Sequence, residues 1–437
     1  MADPRVVPRA EHSLSRRDID PDALKVLYRL REHDHIAYLV GGSVRDLLLG
    51  RRPKDFDVGT SAHPHQIKKI FRNCWIIGRR FRLAHVRFGT KVIEVATFRR
   101  QVQPGEEVAE ERIPARPSDG EPVANHHLIH RDNTFGTPEQ DAFRRDFTVN
   151  ALFYDIATFA IIDYVGGLED LGHGLVRSIG DPEVRFREDP VRMLRAVALA
   201  ERLDFAVDEL VLAAVRLHRH EITRSAPPRL LEECYKILRA GSAEKTFRRL
   251  ADVGLMEAIS PELHRGAEQP LWKSLAAVDA YRRNFSSNPE TLTNAVLLGS
   301  LLVPLGLAAA GRHSAAGAER AEFPAEAVPR LGTLPLARRD VEHLRQILGL
   351  QRRLCDLGAS VRAQRALTHR AIFRDALTWM EIHGGAPEIV EHWITVLAER
   401  GADEPPGLPT DAQPVPFRRR RRNRRRRFHP SANRIKN

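Results

Sequence analysis

Residues 36–60 read IAYLVGGSVRDLLLGRRPKDFDVGT, and the chain's architecture follows from this stretch. Ile36 to Val40 is a short apolar run that stops at Gly41 and Gly42, the pattern of a buried strand ending in a tight turn. VRDLLLG, from Val44 to Gly50, reads as a short helix, and DFDVGT, from Asp55 to Thr60, as a second strand. Side chains alternate along a strand, so Asp55 and Asp57, one residue apart, are expected to point to the same face and share a cation. Magnesium suits such a pair, because it takes a few carboxylates together with substrate phosphate oxygens. A second ion about 4 Å away would let one metal activate an attacking hydroxyl while the other steadies a leaving pyrophosphate. Gly41 and Gly42, between strand and helix, would let backbone N–H groups approach a triphosphate at the helix N-terminus. Singly these motifs are weak, since an Asp-x-Asp pair is ordinarily a solvated strand end and a diglycine a turn. In this order, fourteen residues from Gly41 to Asp55, they point to phosphate chemistry.

Around this stretch the pattern changes every few residues. ALKVLYRLREH reads as a helix ahead of it and HPHQIKKIF as one behind it, and CWIIGRRF, HVRFG and KVIEVATFR read as three strands joined by tight turns. The expectation is an α+β head with a mixed or antiparallel sheet and flanking helices, since the later connections are too short for parallel crossovers. Residues 101–133 are charged and rich in Pro and Gly, and read as a mobile loop. His126, His127 and His130 lie in it without the cysteine or carboxylate spacing of a metal site. Beyond Asp163 the text turns helical, with apolar residues three and four apart, as in Leu230, Cys234, Ile237 and Leu238. No fixed-period repeat marks a solenoid. Ala308 to Pro329 reads as a loop between helices, and the chain beyond about Ala402 as disordered.

A chain of 437 residues exceeds what one core supports, so two or three units are expected. No uncharged apolar run is long enough to span a membrane and the N-terminus lacks a signal-peptide core, which makes a cytoplasmic protein the expectation. Cys74, Cys234 and Cys355 lie far apart and read as small core hydrophobes rather than a disulfide or zinc framework. The net charge is +12, but nine arginines, Arg418–Arg422 and Arg424–Arg427, sit in one run; without them 60 basic residues face 57 acidic ones. The excess is one disordered polycation, an electrostatic handle for phosphate backbones.

On LVGGSVRDLLLG, KDFDVGT, IEVATFR, RRDFTVNAL, DYVGGLEDL and REDPVRMLRA, six ordered motifs between Ile36 and Ala200, the chain resembles the class II nucleotidyltransferases of the polymerase β superfamily. The bacterial members of that family are poly(A) polymerases and CCA-adding enzymes. The resemblance implies that Asp55 and Asp57 hold two Mg²⁺ ions and that Glu94 completes the acid set near the RNA 3′-hydroxyl. It also implies that Gly41, Gly42 and Arg45 belong to the nucleotide site, and that Arg145 and Asp146 face the ribose and phosphates, Asp146 counting with the catalytic acids. Asp189, Arg192 and Arg195, three apart on an expected helix, share one face. In the family this element selects the base, an aspartate and an arginine offering acceptor and donor to a purine edge.

Between the two family members, Ile76 to Val86, IIGRRFRLAHV, resembles the poly(A) polymerase signature. Arg79 and Arg80 add cationic surface beside the site, and a polyarginine arm with Arg418, Arg419, Arg420, Arg421 and Arg422 suits an enzyme that holds many unrelated RNAs. The implied activity is template-independent addition of AMP from ATP to RNA 3′ ends, polyadenylation that serves mRNA processing and decay. Its expected partners are ATP, the 3′ ends of mRNA and small RNAs, and RNA-decay proteins. A CCA-adding tRNA nucleotidyltransferase is the first alternative, and a non-catalytic RNA-binding protein is the alternative of another class. The expected organisation is a flexible N-terminus (1–21), a catalytic head (22–173), a helical neck for nucleotide and RNA (174–260), a helical body or arm (261–402) and a disordered basic tail (403–437).

Overall fold

The computed structural model describes residues 3–78, 82–100, 134–308 and 329–403. The N-terminal strand β1 (Arg5–Val7) is followed by helix α1 (Pro21–Glu32), which opens with proline in its first turn and with the Asp20 carboxylate accepting the amides of Asp22 and Ala23 at 2.8 and 3.4 Å. Then come β2 (Ala37–Val40), α2 (Gly42–Leu48), β3 (Asp57–Thr60), α3 (Pro64–Ile70), β4 (Cys74–Ile77), β5 (Leu83–Phe88), β6 (Lys91–Thr97), α4 (Pro138–Arg144), β7 (Leu152–Asp155) and β8 (Ile161–Asp163). These strands form one eight-stranded sheet in the order β1-β8-β7-β2-β3-β6-β5-β4. Every neighbouring pair is antiparallel except β3 and β6, which run parallel, so the sheet is mixed, one of the two arrangements the sequence leaves open.

The register carries one row of residues across all eight strands. Val6 faces Ile162, Ile162 faces Phe153, Phe153 faces Val40, and Val40 faces Asp57. From there Val58 pairs with Val95, which sets Asp57 beside Glu94; Glu94 faces His85, and His85 faces Trp75. Residues of one row share a sheet face. The opposite face is mainly apolar and packs on α1 and α3 through Val26, Leu27, Leu30, Ile67 and Ile70. On the face of this row, Val40 and Phe153 lie under a small cluster with Phe98, Ala142 and Ile179. From Asp57 through Glu94 and His85 the row is polar, it ends at Trp75, and all four are at least partly open to solvent. Gly59 lets the sheet close against that cluster, because a Cβ there would stand 2.6 Å from Phe98 Cε1.

DFDVGT therefore departs from expectation at one point. The strand begins at Asp57, and Asp55 lies in the extended approach to it, with 72% of its side chain exposed. The two aspartates are not consecutive outward positions of one strand, because Pro53 and the exposed Lys54 keep the approach out of the ladder.

After β8 the chain is helical: α5 (Gly167–His173), α6 (Pro182–Glu188), α7 (Val191–Leu203), α8 (Glu209–His218) and α9 (Pro227–Leu238), then nine further helices among the described residues, from Ala243 to Asp403. A two-stranded parallel ladder, Leu175–Val176 with Ala206–Val207, interrupts them; two residues are too short to leave a periodic signal. Leu230, Cys234, Ile237 and Leu238 form the buried stripe of α9, as their spacing predicts. One apolar cluster runs from Phe147 through Phe186, Leu238 and Leu301 to Trp393, so a single core spans the residues expected to divide into neck and body. Cys74 and Cys234 are buried, but Cys355 is exposed, because the helix Arg338–Leu354 ends its apolar stripe at Leu354 and the next side chain turns to solvent. Among the described residues no helix is long and apolar enough to cross a membrane. Residues 101–133 with His126, His127 and His130, most of the 308–329 stretch, and the tail lie outside the described residues.

His383 closes the last part of this core. Its Nε2 lies 2.9 Å from Ser300 Oγ, its ring sits 4.2 Å from that of Trp379, and burial lowers its pKa to about 4. The unfolded chain takes up this proton near pH 6.5 and the folded one near 4, so the contribution is complete above pH 6.5 and is lost as pH falls from 6.5 toward 4. Thermal unfolding is expected to show a loss of about 2–3 kcal/mol over that window. His383→Gln, which cannot gain a proton, should lose less; an identical pH slope in the variant would remove His383 as the cause.

Candidate active site

Gly41 is the hinge of the site. Its φ of 73° is a conformation side chains rarely adopt, and it turns β2 into α2 within one residue. Its amide donates to Leu152 O at 3.1 Å, which ties the turn to β7. A Cβ on Gly41 would lie 2.9 Å from Arg145 Nη1, so the bare backbone makes room for that guanidinium. Arg145 is held from three sides: its Nε and Nη2 donate to Asp141 Oδ2 at 3.1 and 2.9 Å, its Nη1 donates to Asn150 O at 3.1 Å, and its guanidinium lies 5.3 Å from the Phe153 ring centre.

Asp57 and Glu94 stand on the neighbouring strands β3 and β6, and Asp55 just ahead of β3. Burial pushes the Asp57 carboxyl up to about 6; Glu94 adds repulsion, Arg145 offsets part of it, and Asp55 adds more. Three carboxylates thus concentrate negative charge beside one arginine. Glu94 is met by His85, whose Nε2 lies 3.4 Å from Glu94 Oε1. Among the described residues no three His, Cys, Asp or Glu side chains close on one point as a finished metal cage. The carboxylates of Asp55, Asp57 and Glu94 are donors of the kind a hard divalent cation takes, and their mutual repulsion on Asp57 is what such an ion would remove.

Other expected site residues are placed differently. Arg45 is only 3% exposed; its Nε and Nη2 bind Asp46 Oδ1 at 2.8 and 2.6 Å and its Nη1 binds Asn150 Oδ1, so it braces α2 against the segment after α4. Asp146 is buried and engaged by the Phe147 amide at 2.9 Å, Asn150 Nδ2 at 3.2 Å and Arg195 Nη2 at 2.7 Å. Burial alone would raise its pKa, but Arg195, Asn150 and the Phe147 amide outweigh it and hold the carboxyl below the usual range. Asp146 is thus engaged in an ion pair with Arg195 of α7, whose own side chain is 41% exposed.

Asp189, Arg192 and Arg195 do not lie on one helix. Asp189 ends α6, Pro190 breaks the chain, and α7 starts at Val191. Asp189 is gripped in two-point fashion by Arg229 of α9 at 2.7 and 2.6 Å. Arg192 donates from Nη1 to Arg185 O and Glu188 Oε2, both at 3.2 Å. Arg185, buried, donates to the carbonyls of Arg144 and Arg145 at 2.7 and 2.6 Å and fixes the backbone that presents Arg145. Reading the sequence alone missed Asp141, Arg185 and Arg229, which sit in plain helical text, and the part of His85, which only the strand register reveals. Arg79, Arg80, Arg418, Arg419, Arg420, Arg421 and Arg422 lie outside the described residues.

A mixed sheet with a glycine turn, acids on its exposed half and helices following it make up a fold of the CCA-adding nucleotidyltransferase type. The structure resembles the Bacillus stearothermophilus CCA-adding enzyme in complex with CTP, with a TM-score of 0.59 and 26% identity over 87% of this chain and 83% of that one. Residues 37–177 match the poly A polymerase head domain, residues 204–266 the "probable RNA and SrmB-binding site of polymerase A", and residues 324–427 the polymerase A arginine-rich C-terminus. The chain belongs to this poly A polymerase family. Poly(A) polymerase I of Salmonella typhi is 47% identical over 260 residues, 60% of this chain and 54% of that protein; a CCA-adding enzyme of Lactobacillus helveticus is 33% identical over 242 residues, 55% and 56% of the two chains. The chain thus spans about half the length of the curated relatives it matches.

Because ionised Asp57 is disfavoured in the folded state, first by burial and then by repulsion from Glu94 and Asp55, its removal should help the metal-free protein. Asp57→Asn is expected to raise the thermal midpoint in EDTA, by about 1–2 kcal/mol of stability at neutral pH. Added magnesium should stabilise the wild type and leave the variant unmoved. Equal midpoints in EDTA would show that the acids do not strain the fold.

Proposed function

We propose that the protein adds AMP from ATP to RNA 3′ ends without a template. The observation that carries the reading is the concentration of Asp55, Asp57 and Glu94 beside a turn where Gly41 makes room for Arg145. The higher identity to a poly(A) polymerase I than to a CCA-adding enzyme supports adenylate as the added unit, and the matched RNA-binding and arginine-rich segments support RNA as the acceptor.

Asp55 and Asp57 would hold two Mg²⁺ ions, with Glu94 orienting the one nearest the RNA; bound there, such ions activate a hydroxyl and neutralise developing pyrophosphate charge. The turn at Gly41 and Gly42, with Arg145, receives the triphosphate. Asp189, oriented by Arg229, retains lone pairs for an adenine amino group, and Arg192, anchored by Glu188, presents a donor to the same edge. Arg45, Asp146 and Arg195 act through others, fixing the segment from Arg145 to Asn150 against α2 and α7. The RNA 3′-hydroxyl attacks the α-phosphate in line, the bond to pyrophosphate breaks, and no covalent enzyme intermediate forms. The chain contributes mainly positioning and charge. Arg79 and Arg80, and the arginine run at 418–427, extend the RNA contact beyond the site. The protein acts in the cytoplasm on messenger and small RNAs.

One incubation of a short RNA, and separately of tRNA lacking its CCA end, with magnesium and labelled ATP or CTP tests this. Long adenylate tails on both RNAs are expected. Stopping after C, C and A on tRNA alone would instead assign the activity of the structural neighbour. Asp55→Ala and Asp57→Ala should each lower incorporation at least about a thousandfold, with unchanged circular dichroism. Wild-type rates in either variant would refute the metal assignment.

A further inference from the structure

Of the four tryptophans, Trp272, Trp379 and Trp393 are buried, whereas Trp75 is 53% exposed. It stands on β4, the edge strand of the sheet, with Ile77 on the same face and 49% exposed. An exposed ring of this size is a common mark of a contact surface. Its place in the register says which. Trp75 faces His85, His85 faces Glu94, and Glu94 lies beside Asp57. The ring therefore ends the row that holds the acids, three strand spacings or about 14 Å from Asp57. A few nucleotides of single-stranded RNA span that distance. Arg87, two residues beyond His85 on β5, is exposed on the same face, and Arg72, exposed just ahead of β4, adds positive charge at the edge. Aromatic face, flanking cations and direct continuity with the acid cluster form the combination that binds single strands, since every base has a π-face and every nucleotide a phosphate.

We propose that Trp75 is a stacking platform for a base upstream of the RNA 3′ end, with Arg87 contacting the adjacent phosphate. The proposal rests on the reading of the protein as an RNA 3′-end extending enzyme. Stacking does not discriminate sequence, which suits a growing tail on unrelated RNAs. It also gives the acceptor strand an anchor outside the nucleotide site, so the 3′ end can advance without the strand leaving.

The test uses the full chain and an adenylate oligomer of about ten nucleotides, within the span one such groove holds. Without metal, the oligomer should quench tryptophan fluorescence of the wild type but not of Trp75→Phe, and ATP alone should quench neither. In extension assays Trp75→Ala should raise KM for RNA about tenfold, the scale of one lost stacking contact, with kcat and KM for ATP within about twofold of wild type; Trp75→Phe should restore most of the loss. Wild-type KM for RNA in Trp75→Ala, or equal quenching in the Phe variant, would overturn the platform. So would a loss of self-association or protein binding in Trp75→Ala with RNA affinity intact, which would assign the edge to β-strand pairing. If the wild type extends no RNA at all, the activity reading fails, while the quenching experiment still decides whether RNA lies on Trp75.

Discussion

The parallel pairing of β3 with β6 is the constraint on which the rest of this molecule depends. Val58 pairs with Val95, Gly59 with Ala96 and Thr60 with Thr97, and that register alone sets Asp57 beside Glu94. A slip by one residue would turn both carboxylates into the apolar face that packs on α1 and α3 and bring Val58 and Val95 out to solvent. Both valines are wholly buried, so such a slip would expose two valines and bury two charges. The hydrophobic pattern of the strands thus enforces the spacing of the acids, although none of those apolar residues touches them.

The second requirement is that Arg145 reach this cluster without drifting, and here the helical part of the chain serves the head. Asp141, Asn150 and the ring of Phe153 hold the guanidinium, and Arg185 of α6 holds the two carbonyls around it. Asp146, next in sequence and buried, binds Arg195 of α7, whose side chain is 41% exposed. Removing Arg195 would leave the buried Asp146 carboxylate without its cation, which is costlier than the pair's own net worth. The Arg-Arg-Asp segment is thereby clamped between two helices, and the orientation of head against helices is set at the same residues that aim a cation at the acids. Asp163 does related work nearby, its carboxylate accepting the amides of Val165, Gly166, Gly167 and Leu168 at 2.9–3.0 Å. Much of the six-motif signature is architecture that holds a few chemical groups.

This division explains what could be read from sequence. Strands and helices of the head were legible because apolar runs, glycine turns and capping residues are local signals, and Gly41, Asp57 and Glu94 lie where local pattern and resemblance together place them. The stripe of α9 was legible for the same reason. Placements set by distant partners were not. Pro190 separates Asp189 from the helix that carries Arg192 and Arg195, so the arginines lie three apart on one helix as their spacing suggested but Asp189 does not join them on it. Asp189 instead meets Arg229, forty residues away, and Arg45 meets Asn150, more than a hundred residues away. Lone arginines in helical text carry no sign of such pairings. Cys355 failed as a core residue for a simpler reason: the helix stops one position before it.

The sheet also explains why chemistry sits on one half of its face. An eight-stranded sheet offers two faces, and covering both along their full width would need more helices than the head contains. One face is covered completely. Among the described residues, the other is covered over β7 and β2, where Phe153, Val40 and Phe98 pack, and left at least partly exposed from β3 to the β4 edge. A partly uncovered sheet must carry polar side chains there, and polar rows on strands put like groups side by side at fixed spacing. Asp57 and Glu94 exploit that spacing at the boundary, where the covered half lowers the local dielectric and strengthens every charge interaction at its rim. The raised pKa of Asp57 is the cost of standing at that border.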